Sequence, residues 1–187
     1  MGLKSQVNPH FLFNSLNSLS GLIQENTEQA EKFLNEMSKV YRYMLRNEEE
    51  QLVPLSTEIQ FILSYFSLLK VRYTDAILLD IAVNQEDAEN LLPPLSLQVI
   101  LENALFQNKT EKNSPLRLSI VSGQNGQVKV TNNVQPRVMI EATEHEAGLD
   151  NLVKKYSLLV AKPVTIEDNG RERSIILPLI QKKEATL

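Results

Sequence analysis

Apolar residues recur along the first fifty positions with a helical period. Leu12, Leu16, Leu19 and Ile23 follow one another at +4, +3 and +4, a narrow apolar stripe that predicts a helix over residues 3–24. Asn26-Thr27-Glu28-Gln29 then reads as a capping box, with Asn26 as N-cap and Gln29 at the third helical position. The second helix carries Ala30, Leu34, Met37, Tyr41 and Met44 at the same alternating spacing. Two striped helices on a short link form an antiparallel hairpin. A lone hairpin leaves both stripes poorly covered, so a second copy is expected to complete a four-helix bundle. The competing reading packs the stripes on the chain's own C-terminal part.

Glu48-Glu49-Glu50-Gln51 marks a polar break. Pro54 and Ser56 open a third helix, with Ile59, Ile62, Leu63, Phe66 and Leu69 on one face. After Thr74-Asp75 the period changes. The run Ile77 to Val83 has strand length, and Pro94 to about Asn108 is helical. Leu116 to Val121 and Val128 to Asn132 read as strands joined by Gly123-Gln124-Asn125-Gly126, a hairpin signal. Gly148 to about Val160 is helical. Val164 to Glu167 and Ser174 to Leu179 are strands around the turn Asp168-Asn169-Gly170. The predicted fold class is therefore two-part: a helical hairpin over residues 1–53, then an α+β sandwich over 54–187.

Composition narrows the functions. Hydrophobic residues make up 42%, enough for a packed core. A net charge of −4 argues against nucleic acid as the main partner. There is no cysteine, which excludes disulfides and thiolate metal sites and fits a reducing compartment. No apolar run approaches the roughly 20 residues that span a bilayer, and there is no signal-peptide pattern. Met1-Gly2 leads straight into a helical pattern, so the chain reads as a soluble piece of a longer protein whose upstream part was removed.

Two places carry chemistry. His10 is one of only two histidines. Neutral imidazole is a good nitrogen nucleophile near pH 7, its reference pKa being about 6.5. Asn8-Pro9 reads as N-cap and first residue of a helix, which puts His10 in the first turn; alternatively Pro9 kinks a helix that begins upstream. Extending the phase of the apolar stripe back places His10 nearly opposite it, facing outward. Glu102-Asn103 lies on the helix opened by Pro93-Pro94. Asn103 offers a neutral carbonyl oxygen, suited to Mg2+, and Glu102 is suited to orient a water or take a proton.

Gln6-Val7-Asn8-Pro9-His10-Phe11-Leu12-Phe13-Asn14-Ser15-Leu16-Asn17 closely resembles the phosphoacceptor motif of LytS-type sensor histidine kinases. Leu92-Pro93-Pro94 through Gln98 to Glu102-Asn103-Ala104 resembles the start and N-box of their ATP-binding domain. Ala147-Gly148-Leu149-Asp150-Asn151-Leu152, with Tyr156-Ser157-Leu158-Leu159, resembles their later glycine motif and its helix. Ile175-Ile176-Leu177-Pro178-Leu179 resembles their last strand. The resemblance implies a dimerisation and phosphoacceptor hairpin followed by a Bergerat-type ATP-binding sandwich, and a homodimer. It implies His10 as phosphoacceptor, Asn103 as Mg2+ ligand, and Asn132, Gly148, Leu149 and Asn151 at the nucleotide. It also implies ATP and Mg2+ as cofactors and a response regulator as partner, often of the LytTR type. The location implied is the cytoplasmic side of the inner membrane, with any membrane contact made through an upstream segment.

The chain departs from that pattern in places. Phe106 and Gln107 stand where the family commonly has a basic residue and a histidine. Asn132 stands in place of an adenine-reading aspartate. Its amide oxygen can accept from adenine N6, in a weaker bond than a carboxylate makes. Val134 and Glu146 replace glycines, and no glycine occurs between Gly126 and Gly148. Phosphate cradles use glycine for close backbone approach. His145, between Glu144 and Glu146, reads as a solvated loop residue. Three readings follow: an active histidine kinase, a degenerate dimeric scaffold, and a gyrase-like ATPase that uses Glu102 and ignores His10. Intact His10 and Asn103 favour the first.

Overall fold

A computed structural model of the chain describes residues 9–46, 50–137, 144–160 and 162–182. Helices α1 (Pro9–Glu25) and α2 (Thr27–Arg46) form the predicted hairpin. The cap is where the sequence put it: Asn26 Oδ1 accepts the Gln29 backbone N–H at 3.1 Å. Residues 3–8 of the expected first helix lie outside the described residues.

The buried face of the hairpin follows the predicted stripes only in part. Helix α2 buries Ala30, Phe33, Met37, Val40 and Met44 and leaves Leu34 exposed. On α1, Phe11 is buried and Leu12 and Leu19 are half-buried, while Leu16 and Ile23 are exposed. The reason is a third helix, α3 (Leu55–Tyr73), which packs along α2 and touches α1. The hairpin turns its aromatic side to α3. Part of each stripe thus packs on the chain's own later residues, and part stays uncovered.

Helix α3 also buries a different arc from the predicted one. Ile62 and Leu69 are inside as expected, but so are Leu55, Glu58, Phe61, Tyr65 and Leu68, while Leu63 is exposed. The helix lies between the hairpin on one side and a later helix, α5 (Ser96–Gln107), with the sheet on the other. Two packing partners require a wider buried arc than one.

Two short strands, β1 (Val53–Pro54) and β3 (Leu91–Leu92), pair antiparallel and pin the start of α3. The Leu55 N–H donates to the Asn90 carbonyl at 2.9 Å. Between them come β2 (Ile77–Ala82) and a short helix, α4 (Gln85–Glu89), which the sequence pattern does not show. Asn84 caps α4 by accepting the Asp87 N–H at 2.7 Å.

The main sheet has five strands in the order β2-β4-β5-β7-β6, with β4 (Leu116–Ser122), β5 (Gln127–Asn133), β6 (Thr165–Asp168) and β7 (Glu172–Pro178). Strands β2 and β4 are parallel and the other neighbours antiparallel. Asn125 and Gly126 both take positive φ in the β4–β5 turn, the geometry that a tight hairpin needs. Alternate residues face the helices: Leu116, Leu118 and Ile120 on β4, Val128, Val130 and Asn132 on β5, and Ile175 and Leu177 on β7. Helices α5 (Ser96–Gln107) and α6 (Glu144–Leu159) pack together, and α5 lies on β5. This is the expected α+β sandwich, and one hydrophobic core runs from Phe11 on α1 to Leu179.

Candidate active site

Helix α5 carries Glu102 and Asn103, so its placement sets the site. It starts after Leu95, which sits in the left-handed region at φ 65°. Its own N-cap side chain is apolar and offers no acceptor. A carboxylate from another helix takes that role: Glu58 on α3 accepts the Leu95 N–H at 2.8 Å and the Leu97 N–H at 3.2 Å. The same carboxylate accepts the Tyr43 hydroxyl at 2.5 Å. Glu58 is wholly buried and thereby ties α2, α3 and the start of α5 together. Burial pushes its pKa up despite these donors and the nearby Lys155 charge. Burial beside that carboxylate also raises the Tyr43 phenol.

One turn further along α5, Glu102 Oε1 accepts from the Tyr65 hydroxyl at 2.6 Å and from Gln98 Nε2 at 3.0 Å. Burial, then the Glu102 charge, push the Tyr65 phenol well above its ordinary pKa, so it stays a donor. The Tyr65 ring stacks on Phe11 with centroids 4.8 Å apart. Phe11 follows His10 directly, so this stack links the α1 start to Glu102.

His10 is exposed, as its phase in the sequence implies. Asn14, one turn on, brings its amide nitrogen to 3.1 Å from His10 Nδ1 and 3.4 Å from Nε2. His10 and Glu102 line one open cleft of about 350 Å³, together with Asn14, Arg72, Tyr73 and Arg137.

Asn103 points elsewhere. It is 2% exposed, and its Nδ2 is buried with no hydrogen-bond partner. A buried amide with an unmatched polar atom is costly and calls for a reason. A hydrogen-bond acceptor on a ligand would satisfy that donor, while the oxygen of the same carboxamide is the atom whose chemistry fits Mg2+. Asn132, on the helix-facing side of β5, is also buried; its Nδ2 donates to the Asn133 carbonyl at 2.8 Å, which orients the amide.

The later glycine motif sits differently from its sequence reading. Helix α6 begins at Glu144, so Gly148 lies inside it rather than at its start. An added Cβ at Gly148 meets only Val99 Cγ1, at 3.8 Å. Leu149 is buried in the core and Asn151 is exposed. His145 belongs to the first turn of α6 and not to a loop. Residues 138–143 lie outside the described residues. Glu58, Tyr65, Arg72 and Arg137 were missed in the sequence. The signal for Glu58 and Tyr65 was available as a polar pair at helical spacing on an apolar face of α3.

The histidine kinase family model matches residues 1–77. The Enterococcus faecalis "Sensor protein LytS" is 27% identical over 177 residues, covering 90% of this chain and 26% of that protein. The Staphylococcus aureus "Sensor histidine kinase/phosphatase LytS" is 31% identical over 202 residues, covering 97% and 34%. The chain thus spans a quarter to a third of the length of these relatives. Among solved structures, the histidine kinase domain from the Erythrobacter litoralis EL346 blue-light activated histidine kinase superposes with a TM-score of 0.49 at 16% identity, covering 94% of this chain and 98% of that one.

Proposed function

Because the chain is related to the LytS-type sensor histidine kinases over most of its length, we propose that it is the kinase core of such a sensor. Residues 1–53 dimerise and present His10; residues 54–187 bind ATP. A lone pair on the His10 ring attacks the γ-phosphorus, and the bond from phosphorus to the β–γ bridging oxygen breaks. ADP leaves, and the phosphorylated ring is a cation until the proton on its other nitrogen is lost, which leaves a phosphoramidate with a neutral ring. Glu102, oriented by Tyr65 and Gln98, takes up the ring proton or holds the water that does. Asn103 Oδ1 holds Mg2+, which offsets phosphate charge when bound. Asn132 reads adenine, and the first turn of α6, with Gly148, Leu149 and Asn151 beyond it, borders the nucleotide. The phosphoryl group then passes to an aspartate of a response regulator, of LytTR type in this reading, on the cytoplasmic side of the membrane. No helix among the described residues is long and apolar enough to cross a membrane.

The observation that supports this reading is the shared cleft: the nucleophile and the carboxylate, 92 positions apart by number, line one space. Transfer requires the ATP-binding layer to swing toward the helical stem; of the polar break at residues 48–51, positions 48 and 49 lie outside the described residues, and Val53-Pro54 after it is held by β3. The pivot in this reading is therefore the stretch before Val53. The test is labelled ATP with Mg2+. Wild type should acquire acid-labile, base-stable label, and His10→Gln should lose it while still binding ATP. Label that persists in His10→Gln overturns the assignment. A wild type that binds ATP without labelling shifts the reading to the degenerate scaffold, which the glycine-poor stretch 127–147 and the helical Gly148 favour.

A further inference from the structure

The cleft at His10 has a charge that the chain as a whole does not. The protein carries a net charge of −4, yet two arginines and one carboxylate line this space. Arg72, in the last turn of α3, lies over the Tyr73 ring, its Cζ 5.3 Å from the centroid. Arg137 enters from the strand end after β5, where its backbone N–H donates to the Gln107 carbonyl at 3.0 Å at the end of α5. The two come from different elements, 65 positions apart by number.

Neither guanidinium has an acidic partner among the described residues. The ion pairs found there, all with N–O separations of 4.0 Å or less, involve lysines only. Glu102, the carboxylate in the same cleft, has its Oε1 committed to the Tyr65 and Gln98 donors. No arginine among the described residues pairs with a carboxylate; what sets these two apart is that both line the cleft of His10, where together they form an anion site. Guanidinium forks match tetrahedral phosphoryl oxygens in bidentate fashion. The group that the cleft brings to them is whatever stands on His10.

We propose that Arg72 and Arg137 form a phosphoryl clamp on His10, binding the oxygens of the transferring group and of the phosphohistidine that results. The inference rests on His10 being the phosphoacceptor, but not on ATP binding at Asn103. The clamp lowers the charge repulsion between the incoming dianion and Glu102 and holds phosphorus in line with the ring nitrogen.

The experiment uses the full chain and phosphoramidate, a small phosphodonor that needs no nucleotide site. The His10 lone pair attacks phosphorus, the P–N bond of the donor breaks, and ammonia leaves. Wild type should label on His10. Arg72→Gln and Arg137→Gln should each slow labelling about tenfold at an unchanged thermal midpoint, with Arg137→Lys recovering part of the rate. Arg42→Gln, on exposed α2 surface outside this cleft, is the control and should label as wild type. Equal rates in wild type and both clamp variants overturn the proposal, as does a wild type that phosphoramidate leaves unlabelled. Arginine-dependent labelling by phosphoramidate, with none from ATP, upholds the clamp and rejects the kinase reading alone.

Discussion

Tyr65 on α3 donates a 2.6 Å hydrogen bond to Glu102 on α5, across 37 positions of sequence. The contact joins the helix that stacks on Phe11 to the helix that carries the N-box. Replacing Tyr65 with Phe keeps the stack and removes only the donor. The loss should cost about 1–2 kcal/mol in a urea melt, since the acceptor is charged but keeps Gln98. In the kinase reading His10 labelling from ATP should slow more than ATP affinity falls. Equal losses in both would assign Tyr65 to binding instead.

Glu58 makes a second such joint, and its truncation should be severe. Glu58→Ala leaves the Leu95 and Leu97 amides and the Tyr43 hydroxyl without their buried acceptor. A loss of about 3–5 kcal/mol is expected by chemical denaturation. A surface-like change below about 0.5 kcal/mol would be incompatible with this burial.

The pH dependence of that joint has a definite sign. Burial raises the Glu58 pKa in the folded state from its ordinary 4.5. The folded protein therefore holds this proton more tightly than the unfolded chain does. The resulting stabilisation is fully present below the unfolded pKa and is lost as pH rises through the folded one. Stability of wild type relative to Glu58→Gln should fall as pH rises above about 4.5. A difference that grows with pH would show that the carboxylate is held ionised.

Asn103 separates binding from stability. Its Nδ2 is buried and unmatched, so Asn103→Leu, close in volume, should leave the thermal midpoint unchanged or higher. The same variant should lose Mg2+-dependent ATP affinity in calorimetry. Tight Mg2+-ATP binding by Asn103→Leu would move the metal site away from this residue.

The outer face of the hairpin predicts the oligomer. Phe13 is 64% exposed, Ile23 58%, Leu34 48% and Leu16 45%. These are the stripe residues that α3 does not cover, with Phe13 beside them. Leu16→Glu with Leu34→Glu should convert a homodimer to monomers by light scattering, with helicity retained. Leu19 is a poor choice for this test because it packs on the core. A wild type that is monomeric at micromolar concentration would remove the four-helix bundle.

Gly148 tests the meaning of its motif. Inside α6, where a new Cβ would make only an ordinary contact with Val99 Cγ1 at 3.8 Å, Gly148→Ala should stabilise by about 0.5–1 kcal/mol. ATP affinity that drops despite this gain would show that the glycine is kept for close approach by the nucleotide.

Local patterns in the sequence determined a good deal. Helix period, the Asn26 cap, the strand runs and the Asn-Gly turn each depend on residues within one or two turns of each other, and the structure has them all. His10 and Asn103 stood out because they sit in compact motifs. Tertiary packing decided the rest. The face that α1 and α2 bury depends on α3, whose aromatic residues outcompete the leucine stripe for contact area. Glu58 looked like an ordinary acidic residue in a first helical turn until the fold placed the start of α5 against it. Arg72 and Arg137 became a pair only when α3 and the end of β5 met at one cleft. Periodicity reports which residues of one element share a side. It carries no information on which element, dozens of positions away, will supply the neighbour, and that neighbour decides burial, charge state and chemistry.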